Sequence, residues 1–281
     1  MSDSSTLDHA NLQAEVSFFE PRLKGTDNSL LVKAFGRDFG SYQVPLAIEK
    51  RYGADVVLSR PFKTYKHLAG SLKLGGEYIK VKEGDGKKIA RLYDQHKIPI
   101  SKRSEQLQGG TYFTLGPSLI YDTRDNALSP RNGVLATLRF SENINVSDLD
   151  YTHGTLSAGI KKYFPVMKKS SFSLMARAAG KIHGDMPEVM AYSLGGPYTV
   201  RGYRMSSIGT GEGFMLGSAE LTTPFFFLDR IQKAQFLDNI KFSLFVDAGH
   251  LYSGTITNKL YNRPEYGIAG GVGVKLFIPG V

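Results

Sequence analysis

Apolar and polar side chains alternate along most of this chain with a period of two residues. Within 239–249, Leu244 and Val246 fall on one face, whereas Ser243 and Asp247 fall on the other. Such alternation predicts β-strands with one apolar face and one polar or small-residue face. Eleven segments follow this pattern, at 12–20, 29–37, 52–60, 67–81, 111–121, 133–141, 151–164, 171–182, 213–223, 239–249 and 266–278.

The spacing of these segments distinguishes two classes of β protein. Eleven segments in 281 residues give about 25 residues for each strand, whereas a soluble sandwich has turns every ~8–12 residues. Proline ends alternate segments, with one exception after 111–121, since it cannot donate a hydrogen bond within a sheet. These prolines are Pro21, Pro61, Pro165, Pro224 and Pro279. Longer connections occupy the other end of the strands, at 38–50, 83–109, 142–149, 183–212 and 250–265.

Short turns at one end and long loops at the other are typical of an outer-membrane barrel, whose strands face lipid on one side and water on the other. The sequence therefore predicts an all-β fold, an antiparallel transmembrane β-barrel. No run of about 18 apolar residues occurs, which argues against a membrane-spanning helix. A soluble β-sandwich that binds a partner is the alternative outside this class.

Composition narrows the chemistry that the chain can perform. The net charge of +9 is compatible with anionic partners but does not distinguish lipid headgroups from nucleic acid. The basic segment 82–109 is interpreted as a solvated outer loop, with binding to anionic headgroups as the alternative. The chain has no cysteine, and its six histidines lack the spacing of metal ligands. We expect no metal, no cofactor and no nucleic-acid partner.

A glycine-rich loop contains the most specific sequence of the chain. It reads Gly-Gly-Pro-Tyr-Thr-Val-Arg-Gly-Tyr over 195–203. The guanidinium of Arg201 stays charged and needs hydrogen-bond acceptors, so we expect it to insert into an acidic site. The loop motif consists of Gly195, Gly196, Val200, Gly202 and Tyr203, together with Arg201.

Three other stretches complete the set of motifs. Segment 121–126 reads Tyr-Asp-Thr-Arg-Asp-Asn, and on its own it indicates a polar turn built from Asp122, Arg124, Asp125 and Asn126. Segment 217–224 carries Glu220, and segment 245–249 carries Asp247. The alternation places Glu220 and Asp247 on the polar faces of their strands.

These four motifs, in this order, resemble those of the BamA/TamA-type outer-membrane assembly barrels, which include the two-partner secretion pores. The resemblance covers about 110–281 by motif, and the first hundred residues by strand rhythm only. In that family a Val-Arg-Gly-Phe/Tyr loop folds into the barrel lumen. The resemblance implies that Arg201 locks this loop by pairing with Glu220 and Asp247, and that Gly267, Gly271 and Gly273 leave room for it.

The resemblance also implies a function and a location. The function is to insert and fold β-barrel proteins in the bacterial outer membrane, with an organelle outer envelope as the other location. The implied partners are unfolded outer-membrane β-barrel proteins, outer-membrane lipid and accessory assembly subunits. A two-partner secretion pore that exports a partner protein is the alternative. An outer-membrane enzyme is a further one, with His183 beside Asp185 or His250 near Asp247 as its candidate residues.

The resemblance sets an expectation for domain organisation. The family barrel has about sixteen strands, and single-chain barrels are even-numbered, so eleven segments predict an incomplete barrel. We expect a disordered segment over 1–11 and a partial barrel domain over 12–281. The first residues lack the pattern of a signal peptide. The periplasmic POTRA repeats and the terminal strands are expected to be missing. The chain is thus expected to be a fragment, a natural short form, or a barrel completed by another chain.

Overall fold

The alternating segments form one antiparallel β-sheet in the computed structural model, which describes residues 11–167, 169–224 and 240–276. Within these ranges the sheet has twelve strands. In chain order, β1 to β12 span Leu12–Glu20, Ser29–Gly40, Ala47–Pro61, Leu68–Glu83, Gly110–Asp122, Gly133–Asn145, His153–Met167, Ser170–Gly184, Tyr192–Leu194, Gly209–Pro224, Ile240–Gly254 and Tyr266–Leu276. The predicted all-β antiparallel fold is confirmed.

Strands that are neighbours in the chain are also neighbours in the sheet. The order runs from β1 to β8 and continues through β10, β11 and β12, while the three-residue strand β9 pairs with β10. The eleven long strands coincide with the eleven predicted segments. Strand β3 begins at Ala47 rather than at residue 52, and β9 was not predicted.

The connections differ between the two ends of the strands. Described turns at one end cover 21–28, 62–67 and 123–132, and the loops at the other end cover 41–46, 84–109, 146–152, 185–208 and 255–265. The loop end also carries helices that the alternation did not predict. These are α1 (Gly86–Gln95), α2 (Lys102–Gln106) and α3 (Ile256–Tyr261). Residues 225–239, Pro279 and all of the expected disordered segment 1–11 except Asn11 lie outside the described residues.

Helix α1 has a side-chain N-cap and one buried face. The side chain of Asp85 accepts hydrogen bonds from the backbone nitrogens of Lys87 and Lys88, as an N-cap residue does. Ile89 and Tyr93, four residues apart, are buried on one side of the helix. They pack with Leu260 of α3. The long loops therefore form their own small apolar cluster at this end of the sheet.

Contacts between distant connections show that the sheet is curved. The Thr257 hydroxyl, in the β11–β12 connection, donates to the Gln43 carbonyl oxygen in the β2–β3 connection at 2.6 Å. At the turn end, Lys241 of β11 contacts Ser129 of the β5–β6 turn. Strands far apart in the sheet order can meet in this way only if the sheet bends. Among the described residues, β1 and β12 do not pair with each other.

The two faces of the curved sheet have opposite character. Ser243 and Asp247 are buried on the concave side, which we call the inner face. Leu244 and Val246 point to the other side, the outer face, and are 45% and 54% exposed. No second sheet covers the outer face within the described ranges, so the soluble β-sandwich is wrong. None of the helices in these ranges has the length and apolar character to cross a bilayer.

Candidate functional site

The glycine-rich loop between β9 and β10 lies against the inner face. Gly195 has a φ of +107°, and a Cβ atom there would stand 2.5 Å from the carbonyl oxygen of Arg204. Gly196 and Gly202 have φ values of +109° and +89°. Residues other than glycine rarely adopt such positive φ values. The three glycines of the motif therefore set the path of the loop.

Apolar side chains hold the loop against the inner face of the curved sheet, which we call the wall. Val200 and Ile208 of the loop are fully buried and pack with Leu194 of β9. Further members of the same cluster come from the wall strands, namely Ala179, Phe214, Leu216 and Leu251. Burying a side chain of this size contributes about 1.5–3 kcal/mol, so the apolar contacts alone favour the inward position of the loop.

Two wall glycines make space for the loop. A Cβ atom at Gly249 would lie 2.8 Å from Val200, and one at Gly267 would lie 2.6 Å from Ile208. Of the three glycines expected to leave room, Gly267 alone contacts the loop. Gly271 instead accommodates the ring of Phe245, at 2.8 Å. Gly273 faces the hydroxyl of Ser243, so the expectation for Gly271 and Gly273 is corrected.

Arg201 forms a dense set of hydrogen bonds on the inner face. Its Nε and Nη2 donate to the two carboxylate oxygens of Asp247 at 2.7 and 2.8 Å, a bidentate pair. Nη1 donates to Glu220 Oε1 at 2.9 Å, and the backbone nitrogen of Arg201 donates to Asp247 Oδ2 at 3.1 Å. The structure thus brings together the three residues that the sequence motifs single out.

The pairing register explains why these side chains meet. Asp247 of β11 lies directly opposite Ser218 of β10, and Glu220 follows two residues later on the same face. Ser218 bridges the pair, because its hydroxyl donates to Asp247 Oδ1 at 2.7 Å and accepts from Arg201 Nη2 at 3.2 Å. Both carboxylates are almost completely buried, at 1% and 4% exposure. Strand alternation therefore places both acids on the inner face, against which the loop lies.

A second cation completes the cluster and was not predicted. Lys275 of β12 donates to Glu220 Oε2 at 2.7 Å. With two acids and two cations, the five residues that we call the Arg201 cluster (Arg201, Ser218, Glu220, Asp247 and Lys275) carry no net charge. The ring of Phe245 lies 3.6 Å from the guanidinium carbon, a cation–π contact. The alternation of side chains in the sequence does indicate the face of Lys275, because it places this residue on the polar face of its strand.

The remaining loop residues extend the contact to β12. The Tyr203 hydroxyl donates to the backbone oxygen of Ile268 at 3.4 Å, while its ring packs against the apolar cluster. Arg201 contacts β10 and β11, so loop side chains reach three consecutive strands. Tyr198, at the tip of the motif, is 85% exposed.

The Asp122 turn lies apart from this site, at the turn end of β5. The carboxylate of Asp122 accepts hydrogen bonds from Arg124 Nε at 2.9 Å and from Arg124 Nη2 at 2.7 Å. Asp125 Oδ1 accepts three backbone N–H groups of the turn, from Asn126, Arg131 and Asn132, at 2.9–3.1 Å. Asn126 Oδ1 accepts from the backbone nitrogens of Leu128 and Ser129 at 2.8 and 3.0 Å. These four residues bond the turn to itself, as polar turn residues do.

A second buried polar cluster, which the sequence did not indicate, joins the long loops. Glu188, in the β8–β10 connection, accepts from Gln106 Nε2 at 2.6 Å and from the backbone nitrogen of Ile256 at 2.8 Å. Thr257 Oγ1 lies 3.2 Å from the same carboxylate. The Glu188 cluster comprises Gln43, Tyr93, Gln106, Glu188 and Thr257, with residues from four connections.

Burial has a clear effect on the acid of this second cluster. Desolvation raises the pKa of the Glu188 carboxyl, and the hydrogen bonds from Gln106, Ile256 and Thr257 oppose that rise. Burial also raises the pKa of the nearby Tyr93 hydroxyl, which bonds to Gln106. No cation donates a hydrogen bond to Glu188 among the described residues, in contrast to Glu220.

The two histidines considered for an enzyme do not pair with the aspartates expected beside them. His183 bonds to Glu142 at 2.9 Å rather than to Asp185 and is exposed. His250 is exposed on the outer face of β11, three residues from the inward-facing Asp247. In the part of the chain that the structure describes, no three acids or histidines are grouped as metal ligands would be.

Sequence comparison identifies the class of protein that this fold and loop define. A family model described as the Omp85 superfamily domain matches residues 4–279. The chain therefore belongs to the Omp85 superfamily, a family of outer-membrane β-barrels, and it resides in the bacterial outer membrane.

Solved structures with the same fold carry more specific names. BamA from Haemophilus ducreyi, lacking POTRA domains 1–3, superposes with a TM-score of 0.68 at 18% identity, over 95% of this chain and 56% of that one. CdiB from Acinetobacter baumannii gives 0.56 at 14% identity, over 96% and 44%. CdiB from Escherichia coli gives 0.53 at 14% identity, over 94% and 53%. This chain spans about half the length of each, and at these identities the likeness concerns the fold.

Proposed function

We propose that this chain is the barrel wall of an outer-membrane protein assembly factor, which inserts and folds β-barrel proteins into the outer membrane. The observation that carries the proposal is the loop fastened by Arg201 to the buried acids of two wall strands. Such a loop packs against the inner face and contacts β10, β11 and β12. An assembly factor needs a stiff wall of this kind rather than an enzyme pocket.

The hydrogen bonds of the loop restrain the strands that it contacts. The loop bonds to Glu220 of β10, Asp247 of β11 and the backbone of Ile268 in β12. These three strands are thereby held in fixed register. A client strand could then add its backbone hydrogen bonds to an unpaired strand edge by β-augmentation, while the wall beside that edge stays rigid.

The partners follow from the same proposal. Unfolded outer-membrane β-barrel proteins are the clients, and accessory assembly subunits act with the complete protein. Outer-membrane lipid covers the apolar outer face, where Val272 and Val274 are each 66% exposed. Residues 12–281 form a partial barrel domain in this proposal, and the POTRA repeats and remaining strands belong to the complete gene product. No cofactor takes part.

A two-partner secretion pore is the second candidate, and the likeness to the two CdiB structures favours it as much as fold alone can. In such a pore the Arg201 loop would occupy the export path and would have to yield to the exported protein. In an assembly factor the loop stays fastened. The two functions therefore predict opposite responses to releasing Arg201.

The experiment releases Arg201 in the complete gene product, in its own host. If the protein assembles barrels, Arg201→Ala lowers the amount of folded, heat-modifiable porin by about tenfold or more, because it leaves the buried carboxylates of Glu220 and Asp247 without the cation that they share. Arg204→Ala is the control, since Arg204 lies in the same loop but is exposed. Normal porin assembly with altered export of one secreted protein would overturn the proposal and favour the secretion pore.

A further inference from the structure

A cationic patch lies on the outer face of β3 and β4, near the long-loop end of the sheet. We call Lys50, Lys80 and Lys82 the lysine patch. Lys50 and Lys80 stand directly opposite each other in the β3–β4 register, and Lys82 is the next residue of β4 on the same face. Like charges directly opposite one another destabilise a sheet. An anion placed between them would remove that repulsion.

Acidic neighbours compensate only part of this charge. Asp38 of β2 forms an ion pair with Lys50. The nearest acids beyond β4 are engaged elsewhere, since Glu83 pairs with Arg103 at 3.5 Å and Asp85 with Lys88 at 3.8 Å. Among the described residues, no carboxylate lies within ion-pair distance of Lys80 or Lys82, and both lysines are exposed.

The residues next to the patch fix its depth in a membrane. Tyr52 and Tyr78 also stand opposite each other, two residues closer to the middle of the strands, and are 52% and 44% exposed on the outer face. Closer still to the middle, Val56 and Leu74 form an exposed apolar pair. Tyrosines mark the boundary between hydrocarbon and water in membrane proteins. At about 3.3 Å per residue, Lys50 and Lys80 lie about 7 Å beyond the tyrosines along the strands, and Lys82 lies about 13 Å beyond Tyr78, in the region of lipid headgroups.

We propose that the lysine patch binds the phosphate group of an outer-leaflet lipid, whose acyl chains lie along Tyr52, Tyr78 and the apolar pair below them. Long loops of outer-membrane barrels face the outside, which assigns the patch to the outer leaflet. A soluble anion would use the lysines alone and leave the tyrosines without a role. The continuous order of apolar, aromatic and cationic pairs along two paired strands fits a lipid with a phosphorylated headgroup.

The test measures lipid binding to the full-length protein refolded in a non-ionic detergent. The probes are lipid A with two phosphates and the same lipid after phosphatase treatment, with complexes counted by native mass spectrometry. Wild type should retain the phosphorylated lipid, and K80Q/K82Q should weaken its binding by about tenfold or more, since each basic residue near a headgroup contributes roughly 1 kcal/mol. The matched control is K97Q/K259Q, which removes two exposed lysines of the long loops.

Each other outcome overturns the proposal. Equal binding by wild type and K80Q/K82Q would show that the patch is not the site. Equal retention of the phosphatase-treated lipid would assign binding to the acyl chains alone, and displacement by millimolar inorganic phosphate would indicate a site for soluble anions. An equal loss in K97Q/K259Q would reduce the effect to net charge. Unchanged heat-modifiability of the folded band in SDS gels establishes that each variant is folded.

Discussion

The Arg201 cluster and the Glu188 cluster are both buried and polar, yet they are built differently. In the Arg201 cluster two acids face two cations, and Glu220 bonds to both Arg201 and Lys275. In the Glu188 cluster one carboxylate accepts only from neutral groups, namely Gln106 and the backbone N–H of Ile256, with the Thr257 hydroxyl 3.2 Å away. The first cluster ties a loop to strands, and the second ties loops to one another.

This difference determines how each cluster responds to perturbation. Removing one member of a buried ion pair leaves an uncompensated charge, which costs about 3–5 kcal/mol. Removing a neutral hydrogen bond costs about 0.5–1.5 kcal/mol net. The Arg201 cluster should therefore govern the stability of the wall, and the Glu188 cluster should govern local opening of the loops.

The largest effect is expected from Asp247→Ala. It removes the carboxylate that accepts two hydrogen bonds from the Arg201 guanidinium and leaves the Arg201 cluster with an excess positive charge. We expect a loss of about 3–5 kcal/mol in the free energy of unfolding. Urea unfolding of the detergent-refolded protein, followed by circular dichroism, measures this loss.

The control for that prediction is Asp185→Ala, which removes an exposed carboxylate from the β8–β10 connection. The double variant Asp247→Ala/Arg201→Ala should lose less free energy of unfolding than the sum of the losses of its two single variants, because residues of one cluster are coupled. Strict additivity, or an unfolding curve of Asp247→Ala that coincides with wild type, would contradict the role assigned to the cluster.

A smaller effect is expected where the loop packs on the wall. Gly249→Ala places a methyl group 2.8 Å from Val200 and 3.0 Å from Leu194, so the loop must shift outward. Overpacking of this kind costs about 1–3 kcal/mol, again read from urea unfolding. Gly217→Ala is the matched control, because its nearest neighbour, the Met175 carbonyl oxygen, is 4.0 Å away. Equal stability of the two variants would mean that the loop is not pressed against β11.

The family resemblance predicted that Arg201 pairs with Glu220 and Asp247, and the local alternation of side chains agreed with it. Period-2 alternation fixes the faces of Glu220 and Asp247, and once β10 and β11 pair, their register brings both to the same spot. Lys275 was on the right face, but Glu220 lies opposite Phe245 of β11 and Lys275 lies opposite Lys241, so their bond spans β11 diagonally. No single-strand pattern specifies such a diagonal contact.

The Glu188 cluster could not be predicted in this way. Thr257 and Gln43 are 214 residues apart, and they meet only because the whole sheet curves. Helix α1 does have its two buried residues at the spacing of one helical face, Ile89 and Tyr93. Its segment, however, is dominated by charge, which favoured the interpretation as a solvated loop. Curvature and loop packing are tertiary properties that alternation does not encode.

The smallest effect is a pH dependence of the loops. Because burial raises the pKa of Glu188, the folded loops hold a proton at pH values where the opened loops have released it. Above the ordinary value of 4.5, loop closure therefore weakens as the pH rises through the raised pKa. We expect this effect to be small, because the hydrogen bonds from Gln106, Ile256 and Thr257 oppose the desolvation that raises the pKa.

Hydrogen exchange of α1 and α3 at pH 5 and pH 8, corrected for intrinsic exchange rates, measures this opening. Glu188→Gln should remove the pH dependence, because the amide does not titrate, whereas Asp185→Asn should leave it unchanged. The exchange of β10 and β11 should not vary with pH in either variant, since each acid of the Arg201 cluster is paired with a cation. A pH dependence that persists in Glu188→Gln would assign it to another group. Equal pH dependence in the loops and in β10 would mean that the two clusters open together, which their separate bonding does not allow.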